Sequence, residues 1–167
     1  MKERSADEAA PIVFGEKLAS SQAFSALFRD GMGLVEETAA YLDGPGRQES
    51  KKLERNAALA YATESMRLTT RLMQLASWLL LHRAVKEGEM SLAQANKEKT
   101  KVKLSLGDRA DADTMGLLPE QLRDLIDRSL GLLDRVRRLD ATMHKPAANP
   151  IEHQLGLLKA AFERGRG

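Results

Sequence analysis

The chain contains no cysteine among its 167 residues. This absence excludes disulfides, thiolate zinc sites, iron–sulfur clusters and cysteine nucleophiles, and it fits a reducing cytoplasm. Aromatic residues make up only 4% of the chain, whereas Leu, Ala, Met, Glu, Arg and Lys, which favour helices, are abundant. Strands would require more Val, Ile, Thr and Tyr. The composition therefore predicts an all-α protein.

Long apolar runs and a strong charge imbalance are also missing. The longest apolar run, from Ala76 to Leu81, is interrupted by Ser77 and is too short to span a bilayer. The N-terminal MKERSADEAAP carries acidic residues and no apolar stretch, so it is not a signal peptide. Because 26 basic and 24 acidic residues leave a net charge of +2, no strong field attracts nucleic acid or a membrane. We expect a cytoplasmic protein with no membrane partner.

Familiar catalytic and nucleotide-binding motifs are absent as well. The chain has no GxGxxG, Walker phosphate loop, GxSxG or HExxH sequence. We therefore predict no catalytic, cofactor-binding or metal-binding residues, and a protein that is not an enzyme. Hydrophobic residues at 43% and charged residues at 30% suffice for a core beneath a solvated surface. These proportions are consistent with a small domain that acts by binding other proteins.

Helical periodicity predicts an antiparallel, up-down-up three-helix bundle over residues 20–145. The predicted helices cover about 20–42, 50–88 and 119–143. The stripe of the first helix comprises Phe24, Leu27, Phe28, Val35, Ala39 and Leu42. Asp43-Gly44-Pro45-Gly46 ends that helix, and Pro119 begins the third one.

Three segments outside these helices are predicted to be flexible. They are residues 1–19, the connection between the second and third helices, and residues 146–167. The last of these contains a short amphipathic segment with apolar residues at positions i, i+4, i+7 and i+11, namely Ile151, Leu155, Leu158 and Phe162. Because so short a helix is marginal in water, we predict that the tail is disordered or becomes ordered on contact with a partner.

The second helix carries two apolar stripes. The first comprises Tyr61, Leu68, Leu72, Leu75 and Leu79, and the second, with a period of seven residues, comprises Leu59, Met66, Met73 and Leu80. Together they are wider than the stripe that covers a single core. The second stripe is either an intrachain contact with the third helix or the face through which two copies form a dimer, and periodicity does not choose between these.

Two groups of residues are candidates for binding partners. The apolar residues of the tail, Ile151, Leu155, Leu158 and Phe162, could bind as a helix in a groove or dock back onto the bundle. The basic cluster of Lys97, Lys99, Lys101 and Lys103 could dock an acidic protein surface or be simply solvated. Nucleic-acid binding there is less favoured, because the cluster lacks arginines that could read bases and aromatics that could stack on them.

Three longer strings resemble the family named regulator of CtrA degradation. They are GMGLVEETAAYLDGPGR from Gly31 to Arg47, LAYATESMRLTTRLMQLASWLLLHRAV from Leu59 to Val85, and LPEQLRDLIDRSLGLLDRVRRLD from Leu118 to Asp140. The resemblance extends over essentially the whole chain and depends on specific residues rather than on composition.

This resemblance implies a function and a set of partners. Proteins of this family are adaptors of the ClpXP protease in the bacterial cell cycle, with a dimeric three-helix bundle and flexible termini. In the scheme it implies, a response-regulator partner primes the protease, and the adaptor then delivers substrates such as transcription factors. It needs no cofactor, and recruitment with the protease could bring the cytoplasmic protein to a cell pole. The alternative from another class is a small helical DNA-associated regulator that uses the lysine cluster.

Overall fold

The computed structural model describes residues 4–99, 104, 107–144 and 150–165, with side chains described for 21–99, 104, 107–142 and 155–165. Within these residues there are seven helices and no strand, so the predicted all-α fold is confirmed. The helices are α1 (Arg4–Asp43), α2 (Pro45–Ser50), α3 (Arg55–Lys86), α4 (Leu92–Lys99), α5 (Ala112–Leu117), α6 (Glu120–His144) and α7 (Pro150–Arg164).

The chain divides into two compact units, Met1–Asp134 and Arg135–Gly167. The first unit contains α1 to α5 and the larger part of α6, and its core is built from apolar side chains of α1, α3, α5 and α6. Of the predicted first stripe of α3, Leu68, Leu72, Leu75 and Leu79 are buried as expected, whereas Tyr61 is only half-buried. The second unit contains the end of α6 and helix α7.

The buried side of α1 differs from the predicted stripe. Phe24 and Leu27 are buried as predicted, but Phe28, Val35 and Leu42 are only half-buried and Ala39 is exposed. The buried line continues instead through Gly31, Leu34, Thr38 and Tyr41. A glycine and a threonine contribute nothing to a pattern of apolar residues. The apolar pattern therefore predicted a buried stripe on the adjacent side of the helix.

The direction of the third long helix contradicts the predicted up-down-up arrangement. Helices α1 and α3 are antiparallel, because Lys86 near the end of α3 donates hydrogen bonds to Ser21 and Ser25 of α1. Helix α6 is antiparallel to α1 as well, since Arg128 pairs with Glu37 and Leu132 lies beside Gly31. Helices α3 and α6 are therefore parallel, and the arrangement is up-down-down.

Parallel neighbours need a connection that returns along their length, and the described residues 107–119 lie on its returning part. Helix α3 has 32 residues and is therefore about 48 Å long. Gly88, with φ of 76°, ends it in the left-handed conformation that favours glycine. Arg67 near the middle of α3 then donates a hydrogen bond to the carbonyl oxygen of Asp108 at 3.1 Å. The returning segment is thus held against α3 about halfway back.

The part of this connection from 107 to 118 is ordered, although the sequence predicted a flexible segment. Asp111 caps helix α5 by accepting a hydrogen bond from the Thr114 backbone N–H at 2.7 Å, which holds the pKa of Asp111 below its usual range. Met115 and Leu118 are buried in the core. Their burial stabilises the segment, and this tertiary contribution is not visible as a helical period in so short a stretch.

Several helix boundaries differ from the predicted ones. Helix α1 begins at Arg4 rather than near Ser20, in a stretch with four Ala and two Glu, which have high helix propensity. It ends at Asp43 as predicted, but Pro45 begins the short helix α2, because proline fits a first helical turn. Helix α3 consequently begins at Arg55 rather than near Ser50. The predicted flexible tail contains the helix α7.

Two polar contacts fix α6 against the other long helices. Arg128 of α6 binds both carboxylate oxygens of Glu37 in α1, at 2.6 and 2.8 Å, and these hydrogen bonds lower the pKa of the Glu37 carboxyl. In the core, Arg71 of α3 donates to the hydroxyl of Ser129 in α6 at 2.8 Å. The hydroxyl of Ser129 in turn donates to the Ile126 carbonyl oxygen. The two contacts hold α6 in a defined register against α1 and α3.

Gly31→Ala is expected to destabilise the protein by about 1 kcal/mol, whereas Gly33→Ala is expected to stabilise it by about 0.5 kcal/mol. A Cβ at position 31 would lie 2.5 Å from Cδ1 of buried Leu79, whereas one at position 33 would meet nothing within 4 Å. Both changes gain the same helix propensity, so their difference measures packing alone. Urea denaturation of both variants tests this. Equal free energies of unfolding would contradict the close approach of α1 and α3.

Candidate partner-binding surfaces

The outward side of α3 carries no charged residue between Leu59 and Leu80. We call this surface the uncharged face, and it consists of Leu59, Ala62, Thr63, Met66, Thr69, Thr70, Met73, Ser77 and Leu80, all of them exposed. The four apolar residues of the predicted second stripe, Leu59, Met66, Met73 and Leu80, are 61%, 71%, 66% and 52% exposed. The intrachain contact with the third helix considered above is therefore wrong, because α6 and the other described residues leave this stripe exposed.

The polar groups of the uncharged face are partly satisfied within α3. The Thr69 hydroxyl donates to the Ser65 carbonyl oxygen at 2.8 Å, and the Ser77 hydroxyl donates to that of Met73 at 2.9 Å. A shallow open groove of about 310 Å³ lies over Ser65, Met66, Thr69 and Thr70. Because these two hydroxyls already have acceptors, burying the face would leave fewer hydrogen-bond donors without a partner than its composition implies. The surface suits a dry helix-to-helix contact.

A second apolar surface lies on α7. Leu155, Leu158 and Phe162 are exposed, as a binding segment requires, and Phe162 is 76% exposed. Leu157, also exposed, belongs to the same helix but was missed, because it falls outside the i, i+4, i+7, i+11 series. The side chain of Ile151 lies outside the described residues. The helix therefore presents several large apolar side chains to solvent.

The lysine cluster is only partly described. Lys97 and Lys99 lie in the last turn of α4, a helix that begins with the reciprocal hydrogen bonds of Ser91 and Gln94. Lys97 is exposed and Lys99 is half-buried. Lys101 and Lys103 lie outside the described residues. The first two lysines are thus positioned by the last turn of helix α4.

Sequence reasoning missed a groove between α1 and α3. It has a volume of about 300 Å³ and is lined by Phe24, Ser25, Phe28, Arg83, Lys86 and Glu87. The Arg83 guanidinium lies 5.0 Å from the centre of the Phe28 ring, and the Lys86 ammonium lies 5.5 Å from that of Phe24. Arg83 also pairs with Glu87 at 3.0 Å. The two phenylalanines were expected to be core residues, and their spacing gave no sign of these cations.

Two further types of site are absent from the described part of the chain. No group of three or more potential metal ligands among His, Asp and Glu occurs there. None of the helices described is both long and apolar enough to cross a membrane. The His82 ring lies against Trp78 with 4.1 Å between the ring centres and a tilt of 42°. Among the described residues, the features that stand out are the exposed apolar side chains of α3 and α7.

Comparison with known proteins identifies the family. The structure is similar to the crystal structure of RcdA from Caulobacter crescentus CB15, with 55% sequence identity and a TM-score of 0.60, over 72% of this chain and 89% of that one. The chain belongs to the RcdA-like family. Residues 15–162 also match the family described as a protein of unknown function, DUF1465. The curated proteins searched include no match.

Membership of the RcdA-like family confirms the resemblance inferred from the three sequence strings. The family match covers α3 with its uncharged face and most of α7. Both apolar surfaces thus lie within the part of the chain that defines the family, rather than in an appended segment.

Proposed function

We propose that this RcdA-like chain is a non-enzymatic adaptor that tethers substrates and other regulators to a primed ClpXP protease in the bacterial cell cycle. The observation that carries the proposal is the presence of two exposed apolar helical surfaces, the uncharged face of α3 and the apolar side of α7. Small soluble proteins rarely leave such patches uncovered unless they bind a partner. Membership of the RcdA-like family supports the same conclusion.

The proposed mechanism is an increase in effective concentration. A substrate that is held beside the protease meets the unfolding pore far more often than a free one, and affinity can rise by roughly 10²–10⁴-fold without any new contact at the pore. The adaptor contributes surfaces and no chemistry, so catalysis belongs to the protease. The substrates proposed are transcription factors, and the priming partner is a response regulator.

Partner binding and dimer formation use different surfaces in this proposal. Helix α7 inserts its apolar side into a groove on a partner, as amphipathic helices do when they contact a groove through residues one and two turns apart. Lys97, together with the remainder of the lysine cluster, favours an acidic partner surface and acts mainly on the association rate. The uncharged face joins two copies of the chain into a homodimer.

Reconstituted proteolysis tests the adaptor function. Purified ClpXP, its response-regulator priming partner and a candidate transcription-factor substrate are incubated with and without this chain. The substrate half-life is expected to shorten at least several-fold when the chain is present. Equal half-lives across a panel of substrates would remove the adaptor function, whatever the oligomeric state of the chain.

Leu155→Ala combined with Phe162→Ala is expected to slow the degradation of tail-dependent substrates about tenfold, because each truncation removes exposed apolar area that a partner groove would bury. The matched control is Lys159→Ala with Glu163→Ala, two exposed polar positions on the same helix. Degradation rates are compared at equal helix content, measured by circular dichroism. If the polar control slows degradation as much as the apolar variant, α7 does not act through its apolar side.

The alternative of a DNA-associated regulator has weaker support. Of the lysine cluster, Lys97 and Lys99 lie on one turn of α4 with Glu98 between them, and the larger exposed surfaces are apolar rather than basic. Binding to random duplex at low salt, lost steeply as salt rises, would favour this alternative over the adaptor.

A further inference from the structure

We propose that the groove between α1 and α3 binds a peptide segment of a partner protein, one that presents a carboxylate side chain beside a large apolar side chain. In this assignment the carboxylate pairs with Arg83 and Lys86, and the apolar side chain packs on Phe28. The site is separate from the uncharged face and from α7, and it requires neither the homodimer nor the protease. We call it the cationic groove, and its lining residues are Phe24, Ser25, Phe28, Arg83, Lys86 and Glu87.

Two cations and two aromatic rings are matched across the cationic groove. Phe24 and Phe28 lie one turn apart on α1, with 6.2 Å between their ring centres, and Arg83 and Lys86 lie one turn apart on α3. Because the two helices are antiparallel, each cation meets one ring. The guanidinium is 5.0 Å from the centre of the Phe28 ring and the ammonium is 5.5 Å from that of Phe24. The groove therefore combines two positive charges with an apolar wall.

Both cations are held in place by contacts within the chain. The Lys86 ammonium donates to the carbonyl oxygen of Ser21 and to the hydroxyl of Ser25, both at 3.3 Å. The Nε–H of Arg83 donates to the Glu87 carboxylate at 3.0 Å, and a guanidinium has five N–H donors in all. The Arg83 side chain is nevertheless 50% exposed. A partner's carboxylate would thus meet cations whose side chains are already ordered, which lowers the entropy cost of binding.

The charge of the cationic groove suits a single carboxylate. Arg83 and Lys86 contribute two positive charges and Glu87 contributes one negative charge, so the lining residues carry a net charge of +1. Nucleic acid and anionic membranes present rows of phosphates, which the Glu87 carboxylate would repel. Phe24 is only 9% exposed, too little for a base to stack on its ring. An acidic side chain of a protein matches this lining better than either polyanion.

The size of the cationic groove suits one or two side chains. Its volume of about 300 Å³ is at the lower end of the range for pockets that enclose small ligands, roughly 300–1,000 Å³. Phe28 is half-buried, so part of its ring remains exposed beside Arg83. A leucine or phenylalanine of the partner can cover this ring while the neighbouring carboxylate reaches the cations. Excluding water in this way strengthens the ion pairs.

Peptide selection tests the charge requirement. A displayed library of short random peptides is selected on the immobilised full chain and, in parallel, on Arg83→Glu combined with Lys86→Glu. The matched control is Lys52→Glu combined with Arg55→Glu, which reverses two exposed cations near the start of α3. We expect the parent and the control to enrich peptides with Asp or Glu beside a large apolar residue. The best of these, labelled with fluorescein, should bind the groove variant about tenfold more weakly or worse.

Ser25→Trp tests the groove itself without changing its charge. Ser25 is exposed on α1 and lines the groove, so an indole there fills the space while both cations remain. Ser25→Ala is the matched control, because it removes the hydroxyl that accepts from Lys86 and leaves the groove open. The selected peptide should bind Ser25→Trp about tenfold more weakly than the parent and Ser25→Ala within about twofold of it. Circular dichroism checks that all variants keep the parent's helix content.

Several outcomes would overturn the site. These are a selection without any enriched sequence, a consensus that lacks a carboxylate, and a peptide that binds the charge-reversed groove or Ser25→Trp as tightly as the parent. Vesicles of phosphatidylglycerol provide the comparison with a lipid surface. If they bind the parent but not the charge-reversed groove, and no peptide consensus emerges, the ligand is a membrane and the peptide is wrong. Substrate delivery through α7 is judged separately by the proteolysis assay.

Discussion

Met73→Glu is expected to raise the dissociation constant of the homodimer at least 100-fold, to the point where the chain sediments as a monomer at micromolar concentration. The side chain is 66% exposed in the single chain and lies close to the centre of the proposed interface. Because the interface is two-fold symmetric, one substitution introduces two carboxylates into it. Burying an unpaired charge costs several kcal/mol, and each 1.4 kcal/mol is a factor of ten in affinity.

The control for Met73→Glu is Gln121→Glu, which adds the same charge at an exposed position of α6. It should leave the dissociation constant unchanged. Both variants should unfold at the same urea concentration as the parent once the chain is monomeric, since neither residue belongs to the core. The experiment is sedimentation equilibrium over a range of concentrations. An unchanged dissociation constant for Met73→Glu would show that the dimer forms through another surface.

Periodicity predicted the all-α class and the approximate extents of α3 and α6, because the spacing of apolar residues directly reflects which side of a helix is buried. It also identified the second stripe of α3. It could not say what covers that stripe, since the same pattern serves a third helix or a second copy. Only the exposure of Met66 and Met73 in the folded chain removed the first of these two alternatives.

The direction of α6 could not be predicted because the connection is long. A short loop after α3 would have forced an antiparallel neighbour, whereas the segment from Glu87 to Pro119 can either fold locally or return along the helix. The hydrogen bond from Arg67 to Asp108 and the burial of Met115 show that the segment returns along α3. These are contacts between residues far apart in sequence, and no local pattern encodes them.

The candidate sites were predictable to different degrees. The apolar residues of α7 and the stripe of α3 have regular spacing, so the sequence located them. The groove between α1 and α3 depends on Arg83 lying over Phe28, and such cross-helix pairs require the register between the helices. Polar residues in the core were missed for a related reason. Glu64 and Arg71 are only 4% and 1% exposed. Charged residues are almost never buried without partners, and the sequence does not show which partners these two residues have in the folded chain.

Arg71→Ala is expected to lower the free energy of unfolding by about 3–5 kcal/mol. Arg71 is 1% exposed and donates to Ser129 across the contact between α3 and α6. Burial lowers the pKa of the Arg71 guanidinium, and the positive charge of nearby Arg67 lowers it further. The negative charge of Glu64 acts in the opposite direction and raises this pKa. Removing the side chain leaves a cavity and also leaves the buried Glu64 carboxylate with Arg67 at 3.9 Å. The measurement is urea denaturation of the purified variant.

Arg67→Ala provides the matched comparison, since Arg67 lies one turn earlier on α3 and its side chain is 33% exposed. Its loss should cost about 1 kcal/mol or less, because partly exposed ion pairs contribute little. Arg71→Met should fall between the two, since it refills most of the volume without restoring the hydrogen bond to Ser129. Arg71→Ala and Arg67→Ala with equal effects would mean that the buried contact does not hold α6 against α3. The parallel orientation of the two helices would then depend on apolar packing and on the Glu37–Arg128 pair alone.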